Sequence, residues 1–88
     1  MQLVLRMEKT FTPSFPCAVS VYTSNPHRKW NKSSLTTFRH YIEEMKEWIG
    51  DNCGAHYEQY NGIYPTFTFR TESDATLFFL RWNESAVL

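Results

Sequence analysis

Residues 65–82, PTFTFRTESDATLFFLRW, decide the fold. The segment opens as an alternating strand, with Phe67 and Phe69 on one face and Thr66, Thr68 and Arg70 on the other. Thr71-Glu72-Ser73-Asp74 then offers a helix start. Thr71 as N-cap with Asp74 three places on makes an Asp variant of the capping box, and Ser73 is the competing cap. Beyond it, Ala75, Phe78, Phe79 and Trp82 recur at i, i+3, i+4 and i+7, one face of a helix. The competing reading makes Leu77–Trp82 an apolar strand. Helix is preferred because β-branched residues are nearly absent and the start is capped.

Working outward, Asn61-Gly62 signals a hairpin between this strand and the preceding AHYEQY. A two-residue loop pairs Tyr60 with Ile63 and puts Glu58 and His56 on the face of Phe67. A three-residue loop pairs Tyr60 with Tyr64, setting Tyr57 against Phe67 and Ala55 against Phe69. A one-residue slip inverts every side chain, so burial favours the second register. Upstream, Leu35, Phe38, Ile42, Met45 and Ile49 follow 3-4-3-4 spacing. They predict a helix that starts after Ser33 or Ser34 and runs to about Ile49, with Gly50 as its stop. Two further strands are expected: residues 2–8 with Leu3, Leu5 and Met7 inward, and 17–23 with Cys17, Val19 and Val21 inward. An irregular, two-proline connection, Thr10–Pro16, joins them. Residues 83–88 read as a short tail.

The order β-β-α-β-β-α gives an α+β class within a single domain, 1–88. Its simplest packing is a four-stranded, mainly antiparallel sheet with two helices on one face. That arrangement resembles a ferredoxin-like split β-α-β with the N-terminal strand at one edge.

Composition narrows the function classes. The 88 residues hold 7 Phe, 5 Tyr and 3 Trp. Each buried ring removes ~150–250 Å² from water, and a chain this short cannot hide all of them, so aromatic surface is expected to remain for a partner. Nine basic and nine acidic residues balance, which argues against bulk-electrostatic binding of duplex DNA. Two cysteines are too few for a disulfide scaffold. No stretch is long and apolar enough for a membrane span, and MQLVLRM lacks the marks of a signal peptide. A reduced, cytoplasmic protein is the expectation.

Cys53-Gly54-Ala55-His56 has C-x-x-H spacing, but a closed zinc site needs a second such pair, so an ordinary loop thiol is the expected state and no metal or other cofactor is assigned. Glu43, Glu44 and Glu47 read as a solvated helix face, and the motifs of phosphate-binding loops and nucleophilic triads are missing, so no catalytic residue is assigned. Arg28, Lys29, Trp30 and Lys32 form a basic loop around an aromatic ring. With Tyr22, Tyr60, Tyr64 and Arg70 on a sheet face they would suit unpaired bases, against the plainer reading of a solvated face. The basic-Gly-aromatic core of RNA-recognition motifs is missing. On the last helix, Leu77 and Leu80 lie away from the Phe78 arc; other parts of the chain cover them, or a partner does.

FTFRTESDATLFFLRW also resembles the strand-turn-helix ending of small proteins of tailed bacteriophages, through Phe67, Phe69, Glu72, Asp74, Ala75, Leu77, Phe78, Leu80 and Trp82. The resemblance covers residues 67–82. It implies a viral protein made in the bacterial cytoplasm, acting on a host component or built into a virion, and it carries over no catalytic or binding residue. Together these readings predict a small non-enzymatic interaction protein. It would bind a protein partner, or copies of itself, through Leu77, Leu80, Trp30, Tyr22, Tyr60 and Tyr64; the alternative is a single-stranded nucleic-acid binder.

Overall fold

The computed structural model describes residues 3–24 and 30–83. The expected Asn25-Pro26 turn, Arg28, Lys29 and the tail beyond Asn83 lie outside them. In chain order the elements are β1 (Leu3–Lys9), β2 (Cys17–Thr23), α1 (Lys32–Asn52), β3 (His56–Asn61), β4 (Tyr64–Phe69) and α2 (Glu72–Trp82). The strands form one sheet in the order β1-β2-β4-β3, every neighbouring pair antiparallel. The class is α+β, with β1 at an edge and β4 inserted between β2 and β3.

Register explains the core. Across the sheet, Met7, Val19, Phe67 and Glu58 form one row, and Lys9, Cys17, Phe69 and His56 the next, all on the face that the helices cover. Leu3, Leu5, Cys17, Val19, Val21, Phe67 and Phe69 are buried there with Phe38, Ile42, Met45 and Ile49 of α1 and Ala75, Phe78 and Trp82 of α2. Both helices therefore share a single core on one side of the sheet. On the other side, Ala18 and Thr68 are buried in the row that runs on to Tyr57. Phe15 of the two-proline connection folds back onto this corner, edge-on to the Tyr57 ring at 5.1 Å.

The helix ends differ in detail from the sequence reading. α1 starts two or three residues early because Asn31 caps it, its side chain accepting from the Ser34 N–H at 2.8 Å. Gly50 does not stop it. The helix runs on through Asn52, whose amide donates to the Trp48 carbonyl, and Cys53 closes it by donating its N–H to Ile49. Gly50 is exposed at that point, and a single helical glycine costs only ~1 kcal/mol, which the preceding turns absorb. α2 starts as expected at Thr71, whose hydroxyl accepts from the Asp74 N–H at 3.1 Å. The Asp74 carboxylate turns to the Gly54 N–H at 3.0 Å, joining α2 to the α1–β3 loop.

The preferred hairpin register is overturned. Asn61 pairs with Tyr64 around a two-residue loop, Gly62-Ile63, so Glu58 faces Phe67 and His56 faces Phe69. Gly62 sits at φ +65°, the left-handed conformation that two-residue hairpins demand and that glycine adopts without a Cβ penalty. Burial does not set this register because β3 is an edge strand, exposed along its length except at Tyr57. Polar side chains on its helix side still reach water. Pro65 is accommodated because the β2–β4 ladder ends at Ser20–Thr66, before its missing donor is needed.

Phe78 is the hub of the core, 5.3 Å from Phe67, 5.5 Å from Phe69 and 6.2 Å from Trp48, ring centre to ring centre. Phe78→Ala is expected to cost ~3–5 kcal/mol, comparable with the whole stability of a small domain at ~5–15 kcal/mol. Urea unfolding followed by tryptophan fluorescence should show the midpoint collapsing; a shift no larger than that of a surface substitution would remove Phe78 from the centre.

Candidate functional site

Amphipathic spacing on α2 makes two faces. Ala75, Phe78 and Trp82 point into the sheet, and Leu77 and Leu80 emerge on the outer flank, 51% and 72% exposed. Nothing in the described chain folds over them. Two shallow depressions continue this flank, one lined by Glu72, Ser73, Thr76 and Leu77, the other by Met7, Glu8, Lys9, Cys17 and Glu72. Met7 belongs to the inward row of β1 but is 40% exposed, in the depression that meets α2 at Glu72. Sequence alternation assigned Met7 to the core because it cannot show where a covering helix begins. Phe11, in the β1–β2 connection, is fully exposed and was likewise missed; an apolar ring beside prolines carries no periodic signal.

The other expected partner residues are dispersed. Trp30 is half-buried, its ring 5.1 Å from Phe38 and 6.4 Å from Tyr64. Tyr64 also meets Phe38 at 5.8 Å and Tyr22 at 5.6 Å, so Trp30 and Tyr64 pack against the core edge beside Phe38 while Tyr22 contacts Tyr64 alone of these rings. The Arg6 guanidinium lies 5.8 Å from the centre of the Tyr22 ring. Tyr60 projects on the helix side of β3, its hydroxyl donating to Glu58 at 3.2 Å. Arg70 follows β4 at the end opposite Tyr64, ~20 Å away at ~3.3 Å per residue. Lys32 opens α1. The tyrosines and basic residues proposed for unpaired bases are thus not gathered on one sheet face.

Lys46 organises the polar rim that this register creates. Its ammonium lies 3.3 Å from Glu43, 3.5 Å from Glu58 and 5.8 Å from the centre of the Tyr60 ring. The Tyr60 side chain first, then Glu43 and Glu58, holds its pKa above the ordinary lysine value against partial burial. Farther out on α1, His40 meets Glu44 at 3.1 Å, both exposed.

The C-x-x-H pair is drawn into structural bonds. The Cys53 thiol lies 4.0 Å from the Asp74 carbonyl, and His56 Nδ1 lies 3.2 Å from the Gly54 carbonyl. Among the described residues no group of three His, Cys, Asp or Glu is placed to hold a metal ion. No described helix is long and apolar enough to cross a membrane. Comparison with family models, curated proteins and solved structures finds no match.

Burial, then the nearby Asp74 charge, pushes the Cys53 thiol from 9.0 up to about 11. A raised thiol pKa means less thiolate at any pH below it, so at pH 8 the reactive fraction falls roughly a hundred-fold. Iodoacetamide labelling at pH 8, read by intact mass, should leave Cys53 largely unmodified while free cysteine reacts fully. Labelling as fast as free cysteine would contradict the buried setting.

Proposed function

We propose that this chain is a small non-enzymatic interaction protein that docks a protein partner on the outer flank of α2. The supporting observation is the pair Leu77 and Leu80, half or more exposed on a helix whose opposite face is fully committed to the core. Full burial of a leucine contributes ~1.5–3 kcal/mol, of which half or more is still to be gained at Leu77 and Leu80, and Met7 at the β1 edge adds apolar area that a partner would cover. The bacteriophage resemblance of residues 67–82 adds a setting: the partner is a host or viral protein met in the bacterial cytoplasm, or a second copy of the chain. We also read the topology as a relative of the ferredoxin-like split β-α-β. In its support, α1 joins β2 to β3 across the intervening β4 while β1 holds the far edge.

The double variant Leu77→Ser/Leu80→Ser tests this reading. Circular dichroism and the thermal midpoint should stay near wild type. Proteins retained by the wild-type chain from bacterial lysate should be lost at least ~10-fold, the loss of roughly one buried contact. A drop in molar mass by light scattering would make the partner a second copy. Equal retention and equal mass would refute the proposal, and an unfolded variant would assign the two leucines to the core.

A further inference from the structure

A recess with an apolar base lies away from α2, where α1 stands off the β3–β4 hairpin. Phe38, Arg39, Ile42 and Glu43 form one wall of a cleft of about 310 Å³, and Tyr60, Gly62 and Ile63 form the other. This is the lower end of the range for ligand pockets, space for about ten waters at ~30 Å³ each. Its base is preformed. Phe38 and Ile42 are buried, and Phe38 is braced from behind by the Trp30 and Tyr64 rings. The Gly62 turn opens the mouth, since a Cβ built there would meet nothing within 4 Å.

The polar groups at the lip are unequal. Glu43 is held by Lys46, which also holds Glu58, and Glu58 accepts from the Tyr60 hydroxyl. The acceptors on that side are therefore engaged. Arg39, one turn before Glu43, is exposed and makes no ion pair among the described residues. A guanidinium offers a planar fork of donors matched to a carboxylate, and here it stands beside an apolar slot with no acid of its own. A cationic head would meet a repelling arginine, and the two carboxylates on that side already share the Lys46 ammonium.

We infer that the α1–hairpin cleft is a binding site for a small apolar carboxylate, its ring or branched chain on Phe38, Ile42 and Ile63 and its carboxylate on Arg39. The site is independent of the α2 flank, and either reading can fail without the other. The carboxylate can come from a free small acid or from the C-terminal residue of a peptide.

Titrating the ¹⁵N-labelled full chain with phenylacetate, phenylacetamide and phenethylamine tests this. Phenylacetate should shift the amides of Phe38, Arg39, Ile42, Gly62 and Ile63, with millimolar affinity at least ~10-fold tighter than the amide or the amine. Arg39→Gln should keep the folded spectrum and lower phenylacetate to the level of the amide. N-acetylglycyl-phenylalanine binding more tightly than phenylacetate would assign the site to a chain terminus, and weaker binding to a free acid. Shifts absent or centred elsewhere, an amine that binds equally well, or a preference for acid that survives Arg39→Gln would each overturn the inference.

Discussion

The Phe78 ring meets Phe67 and Phe69, two side chains on the same face of β4, and that contact joins the C-terminal helix to the centre of the sheet. β4 is an inner strand, so what is fastened to it is fastened to β2 on one side and β3 on the other. The short turn between strand and helix leaves α2 little choice of orientation. Thr71 caps its first turn and Asp74 ties that turn to Gly54. With Phe78 inward, the 100° step of the helix puts Leu77 and Leu80 outward. The exposed leucines are a consequence of the same constraint that builds the core.

A second constraint comes from the hairpin. Gly62 closes a two-residue loop, and the resulting register turns His56, Glu58 and Tyr60 toward the helix layer instead of away from it. A central strand could not carry such a row. At the edge Glu58 meets Lys46, and the cluster contributes Glu43 and Tyr60 to opposite walls of the gap between α1 and the hairpin. The cleft and the ion cluster both follow from one turn residue.

Much of the fold was legible in the sequence because its signals were local. The alternation in Leu3–Lys9 and Cys17–Thr23, the 3-4 spacing of Phe38, Ile42, Met45 and Ile49, and the Thr71 cap each report on a few neighbouring residues. The outward Leu77 and Leu80 were legible for the same reason. What failed depended on position in the sheet. Burial was used to choose the hairpin register as though the strand before it were covered on one face, but β3 lies at the edge and obeys the turn instead. Trp30 reads as part of a basic loop and Tyr64 as part of an open sheet face, whereas the approach of α1 to the end of β4 draws both against Phe38. Met7 and Phe11 depend on where α2 and the β1–β2 connection stop covering the sheet, which no periodicity encodes.

The two candidate surfaces are the α2 flank and the α1–hairpin cleft. The α2 flank relies on α2 and the sheet behaving as one unit, held by the Phe67–Phe69–Phe78 cluster. Native-state amide hydrogen exchange across a denaturant series tests that unity directly. The amides of Phe78, Phe79 and Leu80 should open with the same free energy and the same denaturant dependence as those of Val19, Phe67 and Phe69. Exchange of α2 through a separate, cheaper opening while the sheet stays protected would contradict the account.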